Sequence, residues 1–352
     1  MQLSELTAMI SPADERAKLT AKMRWDSIAK PLGGLGLLEE AVIRIAGMTG
    51  SADVDLGRRA VIAMCADNGV VAQGVTQTGQ EVTAIVTENM SSGCTSVCRM
   101  ANVAGCEVIP VDIGVAVEVH GERIRQSCVR RGTADFTKGP AMTREEAERA
   151  IMIGAGLVRE LHGKGYGLIG TGEMGIGNTT TSSAVVSVLL GKEPELVTGR
   201  GAGLSSEGLR RKIEAIATGI AVNEPDKNDP VDVLAKVGGL DLAGLCGVFL
   251  GGAAFKVPVV IDGFISSAAA LCAACICPDA ADYMIGSHAS NEPAAAMVLD
   301  KLGLRPFLYA GMFLGEGTGA VAVMPLLDVA IAVYREMSTF DDVSIEAYQP
   351  LD

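Results

Sequence analysis

Aromatic side chains and positive charge are both scarce in this chain of 352 residues. With 7 Phe, 5 Tyr and one Trp, the 49% of residues that are hydrophobic are mostly Ala, Val, Ile, Leu and Met. Lysine and arginine number 29 against 42 acidic residues, a net charge of −13. No basic stripe is present to release counterions from a phosphate backbone, which argues against a nucleic-acid partner. An anionic small molecule remains compatible, because a few N–H groups and one Lys can reverse the field locally. Long apolar runs are missing too. Lys256 and Asp262 interrupt the longest stretch before it reaches about 18 residues, so no membrane span is expected. The start, Met1 to Leu6, carries an early acid and no basic segment, so no signal peptide is expected and the expected location is the cytoplasm.

Nine cysteines are an odd number scattered among apolar neighbours, the pattern of reduced thiols rather than a disulfide framework. Cys272, Cys275 and Cys277 have a spacing that suggests a metal, but they sit in an apolar, helix-like run where packing is the default. No metal is expected. Repeats, low-complexity tracts and long linkers are absent.

What the chain has in quantity is glycine, 43 residues, gathered in turns between apolar runs. Ala60–Cys65, Val108–Ile113, Gly167–Ile169, Val257–Ile261 and Pro306–Tyr309 read as strands. Helical patterns fall at Glu81–Ala101, Thr143–Lys164, Ser182–Leu190, Glu207–Ile220, Pro230–Val237, Asp241–Ala254 and Glu292–Leu302. This alternation predicts an α/β fold, a largely parallel sheet covered by helices on both faces, with ligands at the carboxyl ends of the strands. Asp67, Glu173 and Asp262 each follow an apolar run and are expected to converge on that rim. Amphipathic patterns at 11–28 and 325–337 predict a small helical domain built from both ends, 1–28 and 325–352, beside a large domain of 29–324.

Four constellations carry chemistry. Gly170 to Thr181 (GTGEMGIGNTTT) lies between a strand and a helix, so backbone N–H groups and a helix dipole can close on a phosphate. Glu173 is the surprise in it, since an anion cradle has no need of a carboxylate. The same loop matches G-x-G-x-x-G at Gly170, Gly172 and Gly175, with Glu193 and Glu195 about twenty residues on, so a nicotinamide-dinucleotide oxidoreductase is a rival reading. A purely structural glycine turn is the plain one. Thr198 to Leu204 (TGRGAGL) is a second glycine turn, and Lys212 eight residues beyond it suits a phosphate as a point charge or is a surface Lys. Leu314 to Ala320 (LGEGTGA) holds Glu316 between glycines, a candidate general base or a turn residue. Asp262-Gly-Phe and Ser287 to Pro293 (SHASNEP) complete the set, with His288 read as structural.

Those segments, with Lys30–Gly36 (KPLGGLG), Cys65–Val70 (CADNGV) and Lys236–Leu242 (KVGGLDL), occur in an order and spacing that resembles the nicotinate-nucleotide–dimethylbenzimidazole phosphoribosyltransferase family over about 300 residues. The resemblance implies a parallel six-stranded sheet with flanking helices and a helical domain from both termini. It implies a dimer, of like chains or with a paralogous chain. The implied substrates are nicotinate mononucleotide and an aromatic base, with no cofactor and no metal. Glu316 is the implied catalytic base, with Glu173 the second carboxylate. Substrate contacts are implied along Met174, Gly175, Ile176, Gly177, Asn178, Thr179 and Thr180, and at Gly201, Gly203, Lys212, Asp262 and Ser290. The 5′-phosphate belongs on the 175–180 backbone and Lys212, and Glu316 takes the proton from the acceptor.

Departures from the family pattern gather near the acceptor. Asn68 stands where the pattern A-D-H-G-V has histidine, and Thr78 and Val86 align with a serine and a glutamine that contact the base. A lost polar partner at Val86 weakens selection for a benzimidazole. Some relatives use phenol or p-cresol and work as two unlike chains, which leaves a non-catalytic partner subunit as a third reading. Retention of both Glu173 and Glu316 argues against it.

Overall fold

The structure, a computed structural model, describes residues 1–349. Strands β1 (Arg58–Ala66), β2 (Glu107–Gly114), β3 (Arg125–Gln126), β4 (Tyr166–Met174), β5 (Val259–Ile261) and β6 (Met284–Gly286) form one sheet in the order β3-β2-β1-β4-β5-β6. Every pairing is parallel. The order reverses between β1 and β4, the place where open α/β sheets bind ligands. Seven consecutive residues of β1 are buried, as expected of a central parallel strand covered on both faces.

The helices in chain order are α1 (Leu3–Thr7), α2 (Glu15–Ser27), α3 (Leu37–Thr49), α4 (Glu81–Ser91), α5 (Ser96–Ala104), α6 (Arg144–Gly163) and α7 (Asn178–Leu190). There follow α8 (Pro194–Val197), α9 (Ser206–Asn223), α10 (Pro230–Val237), α11 (Leu240–Phe255), α12 (Phe264–Ile276), α13 (Ala295–Lys301) and α14 (Thr318–Glu336). Local signals set their starts. Thr143 and Glu146 close a capping box on α6, and the Ser205 and Asp229 side chains cap α9 and α10.

The shortage of rings is answered by how closely the helices approach. On α11, Gly244 sits against Met64 and Ile113 of the sheet, while Gly247 and Gly251 face α6. A Cβ at Gly247 would lie 1.8 Å from the Ile151 carbonyl oxygen, and one at Gly154 2.0 Å from that of Gly244. The other face is covered by α14, with Met324 and Ala320 next to Gly170 and Val61.

Several expectations need correction. The strand expected at Gly167–Ile169 runs on to Met174, so Gly170 and Gly172 are strand residues and not loop residues. The helix expected over Glu81–Ala101 is two helices, broken where Gly93 turns left-handed at φ +74° and Thr95 starts α5. Pro306–Tyr309 is not a strand; Phe307 and Leu308 donate to the Ser287 carbonyl, and the sixth strand is Met284–Gly286. Residues 11–28 enter their helix only at Glu15, capped by Asp14. At the other end α14 passes unbroken through the expected boundary at 324/325, with Pro325 inside it. Trp25 of α2 packs on Tyr334 of α14 at 5.1 Å, so helices from the two ends do meet. Residues 350–352 of the expected helical domain lie outside the described residues. At 19 residues α14 is long and apolar enough to cross a membrane, yet half of it is buried in the fold and its first turns lie on the sheet.

The α6–α11 contact predicts opposite outcomes for two glycines. Gly247→Ala should destabilise by about 1–3 kcal/mol or more through overpacking. Gly156→Ala, a helical position with open space beyond its Cα, should stabilise by about 0.5–1 kcal/mol. Denaturant titration measures both.

Candidate active site

A cleft of about 260 Å³ opens over the carboxyl ends of β4, β5 and β6. Its walls come from residues 173–179 at the end of β4 and beyond it, 262–266 after β5, His288, Ser290 and Glu292 after β6, and the loops 75–78, 200–204 and 313–316. The Gln77 amide donates to the Gly203 carbonyl and ties two of those loops together.

One end is built for an anion. The turn at Gly175 and Gly177 leads straight into the N-terminus of α7, which Gly177 enters at φ +92°. Beneath it lies Lys212, fully buried on α9, whose Nζ donates to Thr179 Oγ1 at 2.8 Å and to the Gly199 carbonyl at 3.1 Å. Gly201, left-handed at φ +53°, leaves room there, since a Cβ would come within 2.9 Å of Thr179 Oγ1 and 3.6 Å of Lys212 Nζ. Burial pulls the Lys212 ammonium down to about 8, with Glu292 opposing. Glu292 accepts from the Gly201 N–H at 2.9 Å and leaves its other oxygen buried without a partner.

The other end is built around carboxylates. Glu173 stands near the end of β4 and accepts from the Asn178 side-chain amide. Burial pushes its carboxyl up to about 8; the Asn178 amide opposes the rise, and Asp241 and Asp262 add to it. A Cβ on Gly315 would collide with Glu173 Oε1, so that glycine admits the carboxyl to the cleft. Gly315, Glu316 and Gly317 are three left-handed residues in a row, at φ +87°, +62° and +99°. Glu316 is the one non-glycine among them, a conformation costing on the order of 1–2 kcal/mol that persists where its surroundings over-determine it. Its Oε2 accepts the Val97 N–H at 3.0 Å. That donor is free only because the helix breaks before Ser96, exposing the N-terminus of α5.

Asp262 anchors the same turn from below. Its carboxylate accepts from the N–H groups of Gly317 at 3.0 Å, Gly319 at 2.6 Å and Ala320 at 3.3 Å, and so caps α14. His288 lies beside it, buried, with Nδ1 3.1 Å from Ser287 Oγ; burial lowers its basicity, with Asp262 opposing. Met174, Ile176, Leu204, Phe264, Ile265, Phe313 and Leu314 give the cleft apolar walls suited to flat rings.

Of the residues singled out from the sequence, Glu316, Glu173, Met174, Gly175, Ile176, Gly177, Asn178, Thr179, Gly201, Gly203, Thr78, Asp262 and Ser290 line the cleft. His288, read as structural, lines it as well. Lys212 stands behind Thr179. Thr180 is buried with its hydroxyl unpaired, and Val86 is half-buried on α4 against the core, outside the cleft wall. Asp67 goes elsewhere: its Oδ2 accepts from Ala116 N–H at 2.8 Å, on the β2 side of the sheet. Among the described residues no group of His, Cys, Asp and Glu is placed to hold a metal, and all nine cysteines are free. The dinucleotide fingerprint does not survive. Gly172 lies within strand β4, where a Cβ would strike the Glu316 carbonyl at 2.4 Å, so it serves the packing of α14 rather than a pyrophosphate.

Comparisons with known proteins agree on one family. A family model described as phosphoribosyltransferase matches residues 10–345. The nicotinate-nucleotide–dimethylbenzimidazole phosphoribosyltransferase of Acetivibrio thermocellus is 49% identical over 327 residues, 93% of each chain. That of Clostridium acetobutylicum is 45% identical over 351 residues, the full length of both. The crystal structure of CobT from Thermus thermophilus superimposes with a TM-score of 0.90 at 41% identity, covering 95% of this chain and 100% of that one.

An anion held above Lys212 would be taken up together with a proton. The folded value of Lys212, about 8, lies below the ordinary 10.5, and a bound phosphate favours the charged form, so binding must draw a proton in. At pH 8 calorimetry in buffers of different ionisation enthalpy should register uptake of about half a proton per ribose 5-phosphate bound. Lys212→Met should abolish that uptake.

Proposed function

The chain belongs to the phosphoribosyltransferase family that its length matches, and on that premise we propose that it moves the phosphoribosyl group of nicotinate mononucleotide onto an aromatic lower-ligand base, releasing nicotinate. The product is the nucleotide of a cobamide lower ligand. One observation supports this most: a buried lysine beneath a glycine turn and a helix N-terminus shares a cleft with the carboxyl groups of Glu173 and Glu316 and with apolar walls.

In this reading the 5′-phosphate sits on the Gly175–Thr179 backbone and the N-terminus of α7, with Gly201, Gly203 and Lys212 around it. Thr180 and Val86 take second rank, one buried below the turn and the other behind the wall. The bond from the anomeric carbon to the pyridinium nitrogen breaks, and its electron pair returns to the ring, which leaves uncharged at that nitrogen. A ring nitrogen of the acceptor bonds to the anomeric carbon. Its other N–H proton passes to Glu316, so no cation accumulates on the product. With a phenolic acceptor the O–H proton takes the same route. Glu173, protonated below about pH 8, offers a hydrogen bond to a ribose hydroxyl or to the nicotinate carboxylate without repelling it. Asp262 and Ser290 complete the wall beside the ring.

The assembly is proposed to be a dimer, of like chains or with a paralogue, working in the cytoplasm; light scattering on the purified, active chain separates the two pairings. Glu316→Gln should keep the fold and lower kcat by about 10²–10⁴, and near-normal turnover would remove Glu316 from the role of base. Purified chain given nicotinate mononucleotide with equimolar dimethylbenzimidazole, adenine, phenol and p-cresol should yield one dominant phosphoribosylated product by mass. No product from the folded chain would instead point to a partner subunit.

A further inference from the structure

Two features that the proposed reaction leaves unused meet at one point under the glycine turn. Asp241 comes from the KVGGLDL segment and opens α11, and Asn68 comes from the CADNGV segment after β1. Both are fully buried. A Cβ on Gly175 would lie 2.7 Å from Asp241 Oδ2 and 3.2 Å from Asn68 Nδ2. A Cβ on Gly239 would lie 2.4 Å from Asp241 Oδ1 and 2.5 Å from Asn68 Oδ1. Two glycines from separate segments thus clear room for the same pair of side chains.

The pair reaches the cleft through Asn178. Its side-chain amide donates to Glu173 Oε2, and it lies near enough to Asp241 to offset part of the rise that burial imposes on that carboxyl. Asp241 Oδ1 accepts the Leu242 N–H at 2.9 Å, while Oδ2 is buried without a hydrogen bond. A buried carboxylate kept without a cation is costly, and such costs concentrate where a neighbouring group is being tuned. We propose that Asp241 is a positioning residue for the transfer, which through the Asn178 amide fixes where the Glu173 carboxyl stands at the cleft and, through its own charge, which protonation state Glu173 holds there.

The charges around Glu173 fit. Asp241 faces it from α11, Asp262 from the end of β5, Cys65 from β1 and the main chain of Glu316 from the turn, none of them a cation. Asp241 itself is pushed up by burial to about 6, opposed by the Leu242 N–H and the Asn178 and Asn68 amides, so it is charged where Glu173 still holds its proton. Of these two facing groups, Glu173 holds a proton and Asp241 a charge at neutral pH.

The consequence of this arrangement for catalysis rests on the phosphoribosyl-transfer reading; the linkage itself does not. The test follows Glu173 directly by carbon-13 NMR of carboxyl-labelled glutamates, with the signal assigned by its loss in Glu173→Gln. Asp241→Asn should lower the midpoint by roughly half to one pH unit, because a like charge has been removed. The limb of the kcat/KM–pH profile that reports Glu173 should move with it. Asn68→His, which offers Asp241 a cation, should move both the same way, and it keeps the test open should Asp241→Asn not fold. In the Glu173→Gln background, adding Asp241→Asn should change kcat/KM by less than about two-fold. An unmoved midpoint in the folded variants overturns the proposal. So does a loss from Asp241→Asn that is equal at every pH and persists in the Glu173→Gln background. If no acceptor is turned over, the NMR midpoint still decides, and only the functional reading falls.

Discussion

Three backbone N–H groups converge on one buried carboxylate, that of Asp262, and the site hangs from them. A charge taken out of water is expensive unless its lone pairs are filled. Here the donors are the orphan N–H groups at the start of α14, which would themselves be costly if left unmade. Each solves the other's problem. The result is a rigid joint between the end of β5 and the start of α14, and the turn immediately before that helix carries Glu316.

The same joint explains why the region is so rich in glycine. With α14 drawn down onto β4, Gly172 must lack a side chain so that the Glu316 carbonyl can pass. Gly315 must lack one so that Glu173 can stand beside the turn. The Glu316 side chain is then held in a left-handed turn and steered onto the N-terminus of α5. Small residues on α6 and α11 do the corresponding work on the opposite face. A core of this kind trades ring area for close backbone approach, which is how a chain with one tryptophan packs two helix layers on a sheet.

Much of this was legible from the amino-acid pattern, and the limits have physical causes. Strands β1 and β2 stood out as apolar runs bounded by turn residues. The end of β4 did not, because Gly170 and Gly172 look like a loop until the approach of α14 is known. β6 and β3 have three and two residues, too short for any periodicity. Glu173 and Glu316 were visible because a carboxylate between glycines is conspicuous. Spacing left Lys212 open between a surface and a phosphate role, since its burial depends on α9 folding over the Gly199–Gly203 turn. The break between α4 and α5 hid in a polar stretch, Ser92 to Thr95, that a helix tolerates. Asp241 and Glu292 lie in segments that stand out, KVGGLDL and SHASNEP, but nothing local marks either carboxylate; each acquires its meaning from partners far away in the chain.

Pro325 lies seven residues into α14, between the Asp262 joint and the contact of Tyr334 with Trp25. Proline has no N–H to offer the carbonyl one turn back, so the helix is softest there. As a mechanical element α14 is therefore two rods with a compliant coupling, together roughly 28 Å long. A change in how the terminal helices sit is therefore expected to bend α14 at residue 325 more readily than to shift the turn that carries Glu316.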